Sequence, residues 1–209
     1  MSTSNDETIS DQTASTDAMD AIDQAVLDAA RSCIEDFGVK RTTLAEIARR
    51  AGVSRPTVYR RWPDTNTLIG ELLNREIRSM LATNPVGHAH GRERMVREIV
   101  EGAAAMRGNS LFQKIFRTDT DIVLTYVVDR LGRSQRALIA LFAEAIRTGQ
   151  ADGSIRDGDP AQLATMVLLI AQSTVQSARI VEDTLAGAAV DTELAKAIDG
   201  YLRPIGDTR

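Results

Sequence analysis

The sequence predicts an all-α protein. Apolar residues recur three and four positions apart along most of its 209 residues, and no stretch shows the strict alternation of a strand. Aromatic residues make up only 4% of the chain and alanine is abundant, which favours helices packed closely through small side chains. With 43% hydrophobic residues, the chain can bury the core of one large domain or two small ones.

The N-terminal segment is predicted to be a disordered tail followed by a helix. Residues 1–18 are polar and acidic, and they lack the basic start and apolar run of a signal peptide. From Ala21 to Phe37, apolar residues follow at helical spacing, and Gly38 is placed where a helix-ending glycine is expected.

Two short helices separated by a glycine turn come next. Thr43 and Glu46 have the spacing of a capping box, and Gly52 is suited to the left-handed conformation of a sharp turn. Ser54 is expected to cap a third helix that tolerates Pro56 in its first turn. The side chains expected to face the core are Leu44, Ile47, Ala48, Ala51, Val53, Val58 and Trp62. This arrangement predicts a helix-turn-helix, which places its second helix in the major groove of DNA.

Charge along the chain supports a nucleic-acid partner for this segment. The net formal charge is −4, but charge is unevenly distributed along the chain. Residues 1–38 contain nine acidic residues and one basic, and residues 39–62 contain seven basic residues and one acidic. Only the second block is suited to a polyanion, although arginine-rich helix faces are often merely solvated. Its arginines are expected on faces that the core does not need: Arg49, Arg50, Arg55, Arg60 and Arg61.

Base recognition is assigned to the start of the second helix. Arg55 can make a bidentate contact to guanine, and Thr57 can bond a base or pack on a thymine methyl group. Tyr59 and the amides beside Thr43 are better suited to phosphate. The complete predicted DNA-binding set is Lys40, Arg41, Thr42, Thr43, Arg49, Ser54, Arg55, Pro56, Thr57, Tyr59, Arg60, Arg61 and Thr65.

Residues 21–82 resemble the N-terminal domain of the tetracycline-repressor (TetR) family, and "GVKRTTLAEIARRAGVSRPTVYRRWPDTNTLIGELL" matches its signature. The resemblance implies a homodimeric regulator, usually a repressor, whose C-terminal domain binds a small molecule that lowers DNA affinity. It implies backbone contacts for Thr43 and Tyr59, and it places Ser54, Arg55, Pro56, Thr57 and Arg60 on the recognition element. The family often has a phosphate-contacting lysine where this chain has Thr65, so that contact is weakened or lost.

The rest of the chain is predicted to form a second helical domain. Asp64 is expected to cap a fourth helix that runs to about Ala82, and further helices are expected at roughly 92–107, 110–117, 119–149, 160–183 and 191–203. The third of these is expected to break near Gly132, and Pro160 to open the next one. The predicted domains are 19–82 for DNA binding and 92–204 for effector binding and dimerisation, with a connector at 83–91 and a tail at 205–209.

A short reading helix covers few base pairs, so a dimer that reads a palindrome is expected. The last two long helices of each subunit would form a four-helix bundle in the dimer. The apolar stripe on either helix could instead pack inside one subunit. The predicted interface residues are Leu163, Val167, Ile170, Thr174, Ala178, Ala195, Ile198 and Leu202.

An effector pocket is expected in the same domain. Few charges interrupt its candidate walls, which favours a hydrophobic or neutral ligand, although each residue taken singly fits a core role as well. The predicted lining is Phe112, Phe116, Tyr126, Phe142, Gln172 and Gln176.

Other functional classes find little support in the residues. Cys33 cannot form an internal disulfide and suits a reducing cytoplasm, and no apolar run reaches the length of a membrane span. His88 and His90 lack further ligands for a metal, the acidic loop near residue 155 misses the calcium-binding register, and no cofactor is predicted. An enzyme or a helical protein-binding adaptor that has kept the helix-turn-helix as a scaffold remain the alternatives, and catalysis is not expected.

Overall fold

The computed structural model describes residues 6–83, 91–118, 132–204 and 206. Nine α-helices occupy these ranges: α1 Asp6–Phe37, α2 Leu44–Ala51, α3 Arg55–Arg61, α4 Thr65–Thr83, α5 Gly91–Gly108, α6 Ser110–Thr118, α7 Arg133–Ala151, α8 Pro160–Ser177 and α9 Ala188–Leu202. A 3-10 turn at Val39–Arg41 joins α1 to the chain before α2. The described residues contain no strand, so the all-α prediction is confirmed.

The chain divides into two units, residues 1–73 and 74–209. The division falls inside α4, ahead of the predicted connector at 83–91, and Asn74, the first residue of the second unit, accepts a hydrogen bond from the Ser134 hydroxyl of α7. Residues 84–90, which make up most of that connector and include His88 and His90, lie outside the described residues.

The core of the first unit forms where α1 packs on α2 and α2 packs on α3. Its largest fully buried side chains come from all four helices of the unit: Val26, Ile34, Ile47, Val58, Trp62, Leu68, Ile69 and Leu72. Apolar spacing alone did not separate the buried face of α1 from its exposed face. Ile22 and Phe37 are exposed, while Leu27 and the charged Asp23 are buried.

The second unit is built around α5, α7, α8 and α9, with α7 lying along α8 and α5 packing on both α8 and α9. Its core contains Met95, Ile146, Val167 and Ile198 among other apolar side chains. Asp159 caps α8 by accepting a hydrogen bond from the Gln162 amide at 2.9 Å, and Pro160 opens the helix as predicted.

Three helix boundaries differ from the predicted ones. Helix α1 begins at Asp6, within residues predicted to form a disordered tail, since extending a helix costs far less than nucleating one. Helix α8 ends at Ser177 rather than near residue 183. Beyond it the hydrogen bonds are those of turns, and Ile180 and Val181 are exposed, so no buried face holds the segment helical. The predicted 119–149 helix is described only from Arg133, with Gly132 as its N-cap.

Among the described residues, every helix is either too short or too polar to cross a bilayer.

Candidate nucleic-acid interface

The start of α2 is fixed by Thr43. Its hydroxyl accepts a hydrogen bond from the amide of Glu46 at 3.2 Å, which is one half of the predicted capping box. The Glu46 carboxylate does not complete the box, because it accepts hydrogen bonds from Arg49 Nε at 2.9 Å and Nη2 at 2.6 Å. These bonds hold the pKa of Glu46 below its ordinary value.

A glycine turn sets the direction of the chain between α2 and α3. Gly52 takes the left-handed conformation, with φ of 67°, and its amide bonds the Arg49 carbonyl. The next amide, of Val53, bonds the Ala48 carbonyl at 3.0 Å. This pair of bonds is a Schellman motif, which satisfies the last carbonyls of α2 while reversing the chain.

Helix α3 begins at a second cap and is anchored by two buried side chains. The Ser54 hydroxyl accepts a hydrogen bond from the Thr57 amide at 3.3 Å and lies 2.7 Å from the Thr57 hydroxyl. Val58 and Trp62 are buried, and the Trp62 indole nitrogen donates to Glu71 of α4 at 2.8 Å. Because these anchors hold one side of the helix, the opposite side must face outward.

The outward side of α3, called the recognition face below, comprises Arg55, Pro56, Thr57, Tyr59 and Arg60. Four of these residues are exposed and Thr57 is half-buried. Within the described part of the chain, the guanidinium groups of Arg55 and Arg60 make no ion pair or hydrogen bond with the protein. The recognition face therefore presents two positive charges whose donors are available to an external anion.

The other arginines predicted for this surface are bound to the protein's own acids. Arg49 pairs with Glu46, although its side chain remains 69% exposed. Arg61 pairs with Asp23 of α1.

Arg50, which was expected on a solvent-facing surface, holds the end of α1. Its Nη1 donates to Asp36 and to Ser32, each at 2.7 Å, and its guanidinium lies 5.4 Å from the centre of the Phe37 ring. Its side chain is only 24% exposed, so Arg50 acts structurally.

The remaining predicted DNA-binding residues flank these helices. Lys40 and Arg41 are exposed, and Arg41 Nε donates to the Phe37 carbonyl at 2.9 Å. Thr65 is half-buried at the first position of α4. Thr42 is a correction: it is buried, and its hydroxyl donates to the Gly38 carbonyl at 2.8 Å, so its side chain closes the end of α1 and does not reach the surface.

The predicted effector residues do not assemble into one described pocket. The Phe112 and Phe116 rings lie 6.2 Å apart, and Phe142 is buried in the core of the second unit. Gln172 accepts a hydrogen bond from Gln135 at 2.7 Å, Gln176 is half-buried, and Tyr126 lies outside the described residues. A 610 Å³ groove lies elsewhere in the unit, with α5 and α9 residues such as Val96, Val100 and Ala195 along it.

Half of the predicted dimer residues are buried within a single protomer. Leu163, Val167, Ile198 and Leu202 belong to the core of the second unit and cannot also meet a partner, which corrects their assignment. Ile170, Thr174, Ala178 and Ala195 are half-buried. The exposed apolar side chains of α8 are instead Met166 and Leu169, which line a 380 Å³ surface groove with Ala161, Gln162 and Thr165.

Sequence reasoning missed the acidic residues that pair with the arginines of the helix-turn-helix, above all Asp23. It is buried, and burial raises the pKa of its carboxyl, against the opposing pull of Arg61. A signal was available, since Asp23 shares the helical register of the buried Val26, Ala30 and Ile34. A carboxylate on a core-facing stripe needs a partner, and Arg61 is that partner.

No three His, Cys, Asp or Glu side chains within the described ranges are grouped so as to hold a metal ion. The acidic loop before α8 forms a turn in which Asp152 accepts a hydrogen bond from the Ser154 amide at 2.9 Å.

Comparison with known proteins gives concordant matches. Residues 26–72 match the family described as bacterial regulatory proteins, tetR family. An uncharacterized HTH-type transcriptional regulator of Mycobacterium tuberculosis, Rv2250c, is 49% identical over 177 residues, which cover 85% of this chain and 92% of that protein.

Solved structures of the same fold are more distant in sequence. The SmeT–triclosan complex has a TM-score of 0.59 at 22% identity, covering 87% of this chain and 90% of that one. Bacillus subtilis FadR in complex with stearoyl-CoA has a TM-score of 0.63 at 14% identity, covering 86% and 99%.

Proposed function

This chain belongs to the tetR family of bacterial regulatory proteins and is a helix-turn-helix transcriptional regulator, and from that premise we propose how it acts. It binds a palindromic operator as a homodimer in the cytoplasm, represses transcription there, and leaves the operator when a small hydrophobic or neutral effector binds.

The observation that carries this proposal is the recognition face of α3. A helix held by buried Val58 and Trp62 on one side exposes Arg55 and Arg60, without described protein partners, on the other. Such donors attract duplex phosphates, and an arginine near the start of the helix can read guanine in the major groove. The acidic remainder of the molecule is repelled by DNA, so this face determines how the protein docks.

Roles within the face follow from position and chemistry. Arg55 and Thr57, in the first turn of α3, are assigned to bases, and Tyr59 and Arg60 to phosphates. Thr43 contributes the exposed amide end of α2 to a phosphate. Thr65 supplies at most a hydroxyl where the family often has lysine.

The dimer is proposed to form through the outward faces of α8 and α9, which pack side by side in the second unit. On α8 the exposed positions Gln162, Met166, Leu169 and Ser173 follow one helical stripe, and the exposed small residues of α9 include Ala189, Ala197 and Gly200. Apolar side chains on one helix and small residues on the other suit a two-fold bundle. This surface replaces the buried half of the interface predicted from the sequence.

The effector is proposed to bind in the second unit near α6 and α7. The contacting Phe112 and Phe116 rings supply an apolar wall, and the Gln135–Gln172 bond offers a polar anchor. Triclosan and stearoyl-CoA, bound in the two structural neighbours, both carry large apolar parts, which supports a hydrophobic ligand here. Helix α4 contributes residues to both units, so its position links effector binding to the spacing of recognition helices in the dimer.

The first experiment measures binding of a mixed-sequence duplex at increasing salt. A regulator that contacts several phosphates loses affinity steeply, with a slope of about −0.9 per contact in a log–log plot. Weak or salt-insensitive binding would instead favour a protein-binding adaptor. A compound bound by the second unit is expected to be recovered chemically unchanged after incubation, whereas turnover would indicate an enzyme.

A further inference from the structure

Arg61, the last residue of α3, is held by a residue from a distant part of the sequence. Its Nη2 donates to Oδ2 of Asp23, which lies in α1 and is 38 positions earlier in the chain. The Asp23 side chain is 13% exposed, whereas the Arg61 side chain is 42% exposed. One end of the ion pair is therefore buried and fixed, and the other reaches the surface beside the recognition face.

This pair differs from the neighbouring Arg49–Glu46 pair. Glu46 and Arg49 lie one turn apart on the same helix, and Arg49 is 69% exposed, so that pair is local and solvated. Asp23 and Arg61 join two helices, and a buried carboxylate that loses its partner is costly. Arg61 is thus held in one direction, while Arg49 remains free to exchange Glu46 for a phosphate.

The next residue reinforces the placement of Arg61. Trp62 is buried and donates its indole N–H to Glu71, so the end of α3 is tied to α4 as well as to α1. Asp23 is the only hydrogen-bond partner of Arg61 within the described residues, and a guanidinium carries five N–H donors. Donors of Arg61 remain for an external anion.

We propose that Asp23 is a positioning residue for operator recognition, which acts by fixing the Arg61 guanidinium at the edge of the recognition face and by compensating its charge. This inference rests on the proposed function, and it assigns a role in DNA binding to a residue of α1 that is not itself part of the recognition face. A fixed guanidinium loses little freedom when it meets a phosphate in the correct register. A neutralised pair also adds little attraction to DNA in other registers, so Asp23 raises discrimination between operator and random DNA.

The test is a double-mutant cycle with Asp23→Asn and Arg61→Gln. Each protein is titrated with a random-sequence duplex and with the operator recovered from a random pool by selection with the wild type. In Asp23→Asn, random-duplex affinity stays the same or rises, and its salt slope steepens by up to about 0.9 per protomer, because no carboxylate then compensates the Arg61 charge. Operator discrimination falls about 3- to 10-fold, and the same substitution in the Arg61→Gln background changes discrimination little.

A purely structural role for Asp23 gives different results. It predicts that operator and random-duplex affinities fall together, in step with a lower melting temperature, and that result overturns the proposal. Additive effects of the two substitutions on operator discrimination also overturn it, because they show that Asp23 does not act through Arg61. Asp23→Glu provides a second variant that keeps the charge but moves the carboxylate, and it should lower discrimination without steepening the salt slope. If the wild type shows no salt-dependent DNA binding, the proposed function and this inference both fail, whereas additivity contradicts the inference alone.

Discussion

Arg60 and Arg50 lie ten positions apart in the basic segment, and the structure predicts opposite consequences when each is changed to alanine. Arg60 is exposed on α3 and has no described protein partner, so Arg60→Ala should change the free energy of unfolding by less than about 0.5 kcal/mol. Its loss should be visible only on DNA. If Arg60 contacts one phosphate per protomer, the log–log salt slope of a dimer becomes shallower by about 1.8.

Arg50→Ala should do the reverse. The substitution removes two 2.7 Å hydrogen bonds, to Asp36 and Ser32, and a guanidinium 5.4 Å from the Phe37 ring. Partly exposed contacts of these kinds together contribute roughly 1–2 kcal/mol, which lowers the melting temperature by several degrees. The salt slope for DNA should stay near the wild-type value.

The assay is fluorescence anisotropy with a labelled mixed-sequence duplex over a range of salt concentrations, paired with thermal unfolding of each protein. Arg136→Ala is the matched control, since Arg136 is an exposed arginine on α7 without a described partner. It removes the same charge at a distance in sequence from the helix-turn-helix. An Arg60→Ala salt slope equal to that of Arg136→Ala would refute the phosphate contact of Arg60. The structural role of Arg50 would be refuted if Arg50→Ala left the melting temperature unchanged and made the salt slope as shallow as is expected for Arg60→Ala.

Further predictions concern the turn, the bases, the dimer and pH. Gly52→Ala should destabilise the protein by about 1–2 kcal/mol in denaturant titrations, through left-handed strain alone, because no atom lies within 4 Å of the added Cβ. Arg55→Ala should relax base preference at one operator position at a cost of about 1–3 kcal/mol in operator affinity, and equal losses on random DNA would contradict a reading role. Leu169→Glu should convert dimers to monomers in sedimentation, while Ala137→Glu on the exposed face of α7 should not. Burial raises the pKa of Asp23. The positive charge of Arg61 lowers this pKa and the negative charges of Glu71 and Asp20 raise it further, so the net effect favours the protonated form in the folded state. The stability of the wild type relative to Asp23→Asn should therefore rise as pH falls from neutral toward 4, and a difference that is independent of pH would contradict the burial.

Local features of the helix-turn-helix could be predicted because each depends on residues within one turn of each other. The Thr43 and Ser54 caps, the left-handed Gly52 and the Pro160 helix start are all decided by short-range backbone hydrogen bonds and φ preferences. The capping box shows the limit of such reasoning. Its second hydrogen bond, to the Glu46 carboxylate, does not form because Glu46 accepts from Arg49, which is a stronger, charged donor.

Pairing between helices could not be predicted in the same way. Arg50 meets Asp36 and Arg61 meets Asp23 only after α1 packs on the following helices, and the sequence does not state which face of each helix that packing selects. The same difficulty affected the dimer surface. Helix α8 is apolar around much of its circumference, so periodicity alone could not separate the stripe with Val167 in the core from the exposed one with Leu169.

The central claim, that the recognition face of α3 reads duplex DNA, is tested most directly by selecting bound sequences from a random duplex pool with the wild type and with the Arg55→Ala/Arg60→Ala variant. The wild type should enrich a palindrome whose half-sites are about one helical turn apart or a multiple of it, and the variant should lose that enrichment while keeping its fold by thermal unfolding. Failure of the wild type to enrich any sequence, or enrichment of the same palindrome by the variant, would contradict the account.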